Sequence, residues 1–278
     1  MKRRLFPLHT FLLTLLLLTA CGAKPPQQVE YLPTASSNQA AVPTVASAPT
    51  TIPTNASSST AQSASGTFTI DFSAETVGAA PTTFVPAVGY WIVGVDGDNP
   101  VLVVDGRQWS KGQPPANIAE QARALYGDKY AEFLDSVQAY AYYPFVVAKD
   151  VENFTDGEIS VRFKPLVGNI DQNGGIVFGL QPNGDYYTIR ASALEENLIL
   201  WQVVQGQRSS LEWIRNTPTA TGQWHELKVV INGTKVEGYL DGQLYLTHTF
   251  DAPLNGRVGL WSKADSTVYF DDFTVTPR

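Results

Sequence analysis

The strongest constraint on the fold is a long succession of short segments in which apolar and polar residues alternate, separated by turn signals. In GEISVRF, for example, Ile159, Val161 and Phe163 fall on one side, as in a strand with one buried face. Such segments follow one another from residue 67 to residue 278 with no βαβ alternation, and two packed antiparallel layers are the usual way to bury them. The sequence therefore predicts an all-β, two-sheet antiparallel β-sandwich.

Turns between these segments are indicated by short runs that favour a positive φ angle. We expect a hairpin turn at each of them. The runs are Asn173-Gly174-Gly175, Pro182-Asn183-Gly184, Asn232-Gly233 and Asp241-Gly242.

One stretch, at about 115–138, departs from the alternating pattern. Ile118, Ala122, Leu125 and Tyr126 are spaced as on one face of a helix. The spacing predicts a short helical insertion that packs one apolar stripe against the sandwich. A cover over an edge or a sheet face is favoured over a moving lid.

Residues 1–20 are typical of a secretory signal peptide, because a basic start precedes an apolar stretch too short to span a bilayer. The run Leu18-Thr19-Ala20-Cys21 resembles the lipobox of bacterial lipoproteins, which implies cleavage before Cys21 and acylation of its thiol. Residues 21–66 are rich in Pro, Ser, Thr and Ala and predict a disordered tether. We expect a domain held outside the cytoplasm, on the cell membrane or outer membrane, through lipidated Cys21. A plain signal peptide with a chance cysteine is the alternative.

Composition and charge restrict the chemistry of the chain. Cys21 is the only cysteine, so the sequence after it offers no disulfide, thiol nucleophile or thiolate ligand. The chain has 19 Lys and Arg against 26 Asp and Glu, a net charge of −7, and loss of the leader would make it more acidic. Such a surface repels the phosphates of nucleic acids. We therefore expect no nucleic-acid partner.

Three stretches carry a resemblance to a known family: GEISVRFKPLVGNIDQNGGIVFGLQPNGDYYTIRASALEENLILWQVVQGQR, QWHELKVVINGTKVEGYLDGQLY and GRVGLWSKADSTVYFDDFTV. From about Ala148 to Pro277 the chain resembles bacterial laminin G-like domains of the concanavalin A-like lectin/glucanase superfamily, especially 3-keto-disaccharide hydrolase-like domains. Ser192 and Glu196 stand where the family run has Asn and Asp. The resemblance implies a jelly-roll sandwich whose concave sheet face binds saccharides and, in some members, hydrolyses them.

The acidic motif of laminarinase-type glycosidases of this fold, Glu-x-Asp-x-x-Glu on one strand, is absent from the sequence. Glu195 and Glu196 are adjacent and would point to opposite sides of an extended chain, so we interpret them as turn residues. His225 and His248 lie in segments with a strand-like pattern and without a nucleophile elbow, which favours structural over catalytic roles. No catalytic residue is assigned. A carbohydrate-binding module is favoured, with a glycoside hydrolase or lyase acting on a (3-keto-)disaccharide and a protein-adhesion domain as alternatives.

A glycan site is predicted where two strands of the concave sheet meet the loop before the last strand. Arg190 lies on the polar side of DYYTIRAS and the next strand begins at Asn197, so both would present donors if these strands form a hairpin. Sugars require directional hydrogen bonds together with a flat apolar surface. Pairing of Arg190 with Glu195 or Glu196, and a solvated ion pair between Lys263 and Asp265, are the alternatives. The predicted ligand-binding residues are Tyr186, Arg190, Asn197, Trp261, Lys263 and Asp265.

A structural calcium ion is a further expectation. In STVYFDDFTV, Asp272 shares the parity of Val268 and Phe270 and so follows the core-facing side, where an uncompensated carboxylate is costly. Asp71 follows the first strand, and terminal strands of this superfamily run close together. Carboxylates are the ligands that Ca²⁺ prefers, so Asp71 and Asp272 are the predicted metal ligands. Hydrogen bonds to backbone amides, Arg or Lys are the alternative.

Overall fold

The computed structural model describes residues 66–107, 123, 125–127 and 143–278, all within one structural unit, Ser59–Arg278. The described residues form fifteen strands, and paired neighbours are antiparallel. The strands are β1 (Phe68–Ile70), β2 (Phe84–Val88), β3 (Trp91–Asp96), β4 (Asn99–Asp105), β5 (Phe145–Ala148), β6 (Gly157–Val167), β7 (Asn173–Leu180), β8 (Tyr186–Ser192), β9 (Asn197–Val204), β10 (Gln207–Arg215), β11 (His225–Asn232), β12 (Lys235–Leu240), β13 (Gln243–Thr249), β14 (Arg257–Trp261) and β15 (Thr267–Pro277).

The strands form two sheets, as the alternating pattern predicts. Sheet A has the order β13-β12-β11-β6-β15-β4-β3, with β1 also paired to β15. Sheet B has the order β10-β9-β8-β7-β14-β5-β2. Strands distant in sequence are neighbours in both sheets, as in a jelly roll, and the predicted β-sandwich is confirmed.

The main core lies between the two sheets and follows the alternation of the strands. In β6 every second residue is buried, including Ile159, Val161 and Phe163 from sheet A. Ile189 and Leu200 of sheet B belong to the same apolar cluster. Burial of each such side chain stabilises the fold by about 1.5–3 kcal/mol, so the inward residues account for the layered architecture.

A second apolar cluster lies on the opposite side of sheet B, which we call the outer face. It contains Phe145, Val177, Tyr186 and Trp261, together with Leu125 from the predicted insertion. Among the described residues, helical conformation occurs only at Arg107, Arg123 and 125–127. The described part of the insertion therefore packs on a sheet face, while the rest of 115–138 lies outside the described residues.

The turn predicted at Asn173-Gly174-Gly175 is wrong, because these residues begin strand β7. Gly174 is required there by packing: a Cβ atom would lie 2.4 Å from a ring carbon of Phe163. A Cβ on Gly175 would lie 2.9 Å from the Cβ of Arg190. The other three predicted turns are confirmed by positive φ angles at Gly184, Gly233, Asp241 and Gly242.

Residues 1–65, which contain the predicted signal peptide, Cys21 and nearly all of the tether, lie outside the described residues. In the part of the chain that is described, no helix has the length and apolar character needed to cross a membrane.

Candidate functional site

Strands β8 and β9 are the two strands next to edge strand β10 in sheet B, and they contribute side chains to the outer face. They form the predicted hairpin, with Ser192 opposite Asn197 and Arg190 opposite Ile199. Since Ile189 and Leu200 enter the core, the alternate residues Thr188 and Arg190 lie on the outer face. The structure therefore brings Arg190 and Asn197 together on this face, as the sequence predicts.

Arg190 is buried, with 2% of its surface exposed, rather than accessible as expected from its polar strand face. Its Nη1 donates to Asn197 Oδ1, and its Nη2 donates to Glu195 Oε2 at 2.8 Å. Arg190 therefore pairs with Glu195, which was one of the alternatives expected from the sequence. Glu196 lies in the turn with a φ of 45°. Burial lowers the pKa of Arg190, and the charge of Glu195 opposes that shift.

Glu195 completes this cluster at its accessible edge, where 42% of its side chain is exposed. Asn197 Nδ2 also donates to Glu195 Oε2, at 3.1 Å. Partial burial favours the neutral carboxyl, but Arg190 and this hydrogen bond outweigh it and hold the pKa of Glu195 below its ordinary value. The cluster is consequently an ionised pair that fixes the Arg190 guanidinium in place.

Tyr186 and Trp261 also share the outer face, but neither offers an accessible ring. Trp261 is fully buried and Tyr186 is 3% exposed. Trp261 Nε1 donates to the Tyr186 hydroxyl at 3.1 Å, and the Tyr143 ring stacks on the indole with centroids 5.6 Å apart. The expectation that these two rings supply a flat contact surface for a sugar is wrong, since they pack within the protein.

Lys263 and Asp265 do not pair with each other, contrary to the ion-pair alternative. Lys263 Nζ lies 2.6 Å from Asp171 Oδ2. The Asp265 carboxylate accepts hydrogen bonds from three consecutive backbone amides, those of 169–171, at 2.7 to 3.1 Å. Burial would raise its pKa, but these amides prevail and lower the pKa of Asp265. Asp265 therefore stabilises the loop before β7.

Sequence reasoning missed the accessible side of the outer face, at edge strand β10. The exposed Trp213 indole meets the buried Trp201 edge to face, with centroids 5.7 Å apart. The Arg208 guanidinium carbon lies 3.9 Å from the Trp201 ring centroid and 4.9 Å from that of Tyr143. Alternation in NLILWQVV places Trp201 on this face, but a β-bulge between Ser210 and Glu212 obscures the parity of β10.

Several buried polar atoms of the outer face have no hydrogen-bond partner in the described structure. Thr188 and Trp201 are cross-strand neighbours, and both leave a polar atom unsatisfied. Each such group costs about 1–3 kcal/mol when water is excluded. The face is therefore richer in hydrogen-bonding capacity than the fold uses. The atoms are Asn173 Oδ1, Thr188 Oγ1, Arg190 Nε, Trp201 Nε1 and Arg208 Nη1.

The predicted metal ligands, Asp71 and Asp272, follow paired positions of β1 and β15, but each carboxylate has its own partner. Strand β1 pairs with β15 up to Ile70 opposite Phe273, so Asp71 and Asp272 follow at the next position. Asp71 accepts hydrogen bonds from the backbone amide and hydroxyl of Ser73, and Asp272 pairs with Arg162 at 3.1 Å. The described residues contain no group of three His, Cys, Asp or Glu that fits a metal ion. Each carboxylate thus has another partner among the described residues, and a shared calcium ion stays a prediction.

The parity argument for Asp272 was wrong, because β15 contains a bulge between Asp271 and Thr274 and Asp272 has a φ of 50°. Asp271 is the buried carboxylate instead. Asn99 Nδ2 donates to it at 2.8 Å and the Asp272 amide at 2.9 Å. Burial raises the pKa of Asp271, and these two donors only partly offset that effect.

The two histidines have the structural roles that the sequence favours. His225 Nδ1 lies 2.7 Å from Asp241 Oδ2, and its Nε2 lies 3.1 Å from the Ala220 carbonyl. His248 Nδ1 lies 2.9 Å from Glu212 Oε1. His248 also borders a cleft of about 610 Å³ at the β10 and β13 edges of the sandwich, whose walls include Tyr187.

Comparison with known proteins agrees with the fold. Residues 143–276 match the sequence model of the 3-keto-alpha-glucoside-1,2-lyase-like domain, which confirms the resemblance noted from about residue 148 onward. No curated protein sequence is significantly similar to the chain.

Two solved structures illustrate the likeness. The carbohydrate-binding module CBM66 from Bacillus subtilis has 14% identity and a TM-score of 0.50, with 72% of this chain and 98% of that module covered. A β-1,3-1,4-glucanase (lichenase) derived from a mouse hindgut metagenome has 13% identity and a TM-score of 0.47, with 76% of this chain and 99% of that chain covered. At 14% identity, the similarity to the CBM66 module shows a shared jelly-roll fold.

Proposed function

We propose that the sandwich is a carbohydrate-binding domain and that its outer face binds a saccharide beside edge strand β10. The observation that carries the proposal is the set of unsatisfied buried polar atoms next to the accessible Trp213 indole. Saccharides need directional hydrogen bonds for their hydroxyls and an apolar surface for their C–H faces. Trp213 offers the exposed apolar surface, and the buried Trp201 Nε1 and Thr188 Oγ1, on strands β9 and β8 beside it, offer unsatisfied hydrogen-bonding groups.

The position of these groups also supports the proposal. Ser210, Trp213 and Arg215 are exposed on β10 and form the accessible side of the outer face. Thr188 and Trp201 lie on the two strands next to it. A ligand that stacks on Trp213 would approach donors and acceptors whose burial without a partner otherwise weakens the fold.

A glycoside hydrolase or lyase acting on a (3-keto-)disaccharide is the second candidate. The match to the lyase-like family model favours it, and Glu195 supplies an accessible ionised carboxylate on the same face. A product assay on any bound saccharide separates the two functions, because a binding module returns the ligand unchanged.

We propose in addition that the domain is displayed outside the cytoplasm by a lipid attached to Cys21. The basic and apolar leader, the lipobox-like run and the Pro, Ser and Thr composition of 21–66 support this. A tether of this composition would let the domain reach glycans at a distance from the membrane surface.

The binding proposal is tested by a glycan-array screen, followed by calorimetric titration of Thr188→Val and Trp213→Ala. Thr188→Val removes an unsatisfied hydroxyl, so we expect equal or higher stability together with roughly fivefold weaker binding. Trp213→Ala removes an exposed stacking surface, and we expect about tenfold weaker binding with little change in stability.

Thr247→Val is the matched control, since Thr247 is an exposed strand threonine on sheet A. It should leave both affinity and stability unchanged. Full affinity in both Thr188→Val and Trp213→Ala would contradict binding at this face.

A further inference from the structure

Among the described residues, the outer face carries more positive charge than its carboxylates balance. Arg190 pairs with Glu195, and Lys263 pairs with Asp171. Arg208 shares this face, and within the described residues no carboxylate pairs with it. The chain as a whole has a net charge of −7, so a local cationic excess runs against its overall character.

Arg208 is held between two aromatic rings, and its partners among the described residues include no carboxylate. Its guanidinium lies between Trp201 and Tyr143, and Tyr143 in turn stacks on Trp261. Cation–π contacts of this kind stabilise a guanidinium and restrict its orientation. The buried Nη1 atom nevertheless has no hydrogen-bond partner in the part of the chain that the structure describes. The guanidinium is therefore positioned in advance, with a strong donor that the described residues do not use.

Arg190 and Arg208 also interact electrostatically. Burial is the main cause that lowers the pKa of Arg190, and the positive charge of Arg208 adds to it. Among the described residues the Nε atom of Arg190 is unsatisfied as well. Arg190 and Arg208 thus add to one another's positive potential on a face where no described carboxylate pairs with Arg208.

We propose that the saccharide bound here is acidic, a hexuronic acid residue whose carboxylate binds the Arg208 guanidinium. This inference rests on the proposed saccharide-binding function. A planar guanidinium matches a carboxylate with two parallel hydrogen bonds, and such charge-assisted bonds are stronger than those to a neutral hydroxyl. The positive charge of Arg190 adds to the attraction. A neutral sugar would leave the charge of Arg208 without a counter-ion.

The test is calorimetric titration of the 278-residue chain with oligosaccharides of glucuronate, galacturonate and mannuronate. Each is compared with its neutral parent sugar and with its methyl ester. We expect at least about tenfold tighter binding of one uronate than of its parent and its ester, and a loss of this preference at high salt.

Variants of two arginines that lie over indole rings provide the second arm. Arg208→Met keeps an apolar stem between the rings but removes the charge, so the preference for the acid should disappear while the weaker binding of the neutral parent remains. Arg162→Met is the matched control, because Arg162 lies over the indole of Trp224, at 4.8 Å, on sheet A rather than on the outer face. It should change the acid preference by less than about threefold. If Arg208→Met does not fold, the comparison of acid with ester on the unmodified protein decides alone.

Equal affinity for the uronate, its ester and its neutral parent would overturn the acidic-ligand proposal while leaving saccharide binding intact. An acid preference that persists in folded Arg208→Met would overturn the role of Arg208. Tight binding of sulfated sugars with no binding of uronates would overturn the assignment of a carboxylate. Failure of every saccharide, neutral or acidic, would overturn the proposed function itself.

Discussion

The polar residues that the sequence singles out near the last strand are in place, but their partners differ from those expected. Asp265 was expected to contact a ligand or Lys263, and instead it accepts hydrogen bonds from three backbone amides of a loop distant in sequence. Lys263 pairs with Asp171. The residue type shows that a carboxylate needs hydrogen-bond donors or cations as partners. Only the folded chain determines which of these groups lie close to it.

At this scale we predict that Asp265→Asn lowers the free energy of unfolding by about 1–3 kcal/mol at pH 7, because a charged acceptor of three amides is lost. The folded-state pKa of Asp265 is lowered, so its contribution is present above the unfolded-state pKa, near pH 4, and is lost as pH falls through the folded pKa. Urea unfolding at pH 7 and pH 3 measures this, and the difference in stability between the two proteins should be smaller at pH 3.

Asp251→Asn is the control, since Asp251 is exposed in a loop. A cost for Asp265→Asn that is the same at both pH values would argue against the ionised, amide-bound carboxylate.

Two strands show how packing overrides local signals. β7 is buried along its whole length and begins with residues whose composition is typical of a turn. Gly174 and Gly175 serve there as close-contact positions, against Phe163 and Arg190 respectively. In β15 a bulge reverses the parity after Asp271, so the carboxylate that enters the interior is the neighbour of the predicted one.

For elements we predict that Gly174→Ala destabilises the sandwich by about 1–3 kcal/mol, because the new Cβ would overlap the ring of Phe163 in a packed core. Chemical denaturation measures the loss. Gly66→Ala, at a position where a Cβ would meet nothing within 4 Å, is the control. A change below about 0.5 kcal/mol in Gly174→Ala would indicate a turn-like, loosely packed segment.

At the scale of the whole molecule, we expect a leader and a polar tether ahead of the β-sandwich. The composition of 21–66 offers too little apolar surface to offset the entropy of ordering, whereas the strands after residue 67 bury one face each. Attachment through a lipid on Cys21 would join these parts into a surface-displayed binding protein.

The anchoring prediction is that radiolabelled palmitate enters the protein expressed in a bacterial host and is absent from Cys21→Ala. Cys21 is the only cysteine in the chain, so no second thiol competes for lipid attachment. In membrane fractionation, Cys21→Ala should appear in the soluble fraction, because acyl chains provide the anchor. Equal labelling of both proteins would rule out lipidation at Cys21.

The sequence by itself determined the sandwich, most of the turns and the pairing of β8 with β9. Strand alternation has a period of two that follows from backbone geometry, and the turns at 183–184, 232–233 and 241–242 depend on residues that tolerate a positive φ. These are local properties, so they can be predicted from the sequence without knowledge of the fold.

Only the tertiary structure decided which side chains are buried and what they meet. Arg190 is buried on the outer face, and Arg208 lies between Trp201 and Tyr143 because strands β9 and β10 and the segment just before β5 converge on that face. Accessibility and electrostatic pairing depend on contacts between residues far apart in the chain. Periodicity places a residue on a face, but the neighbours that cover it or leave it unpaired are set by long-range packing.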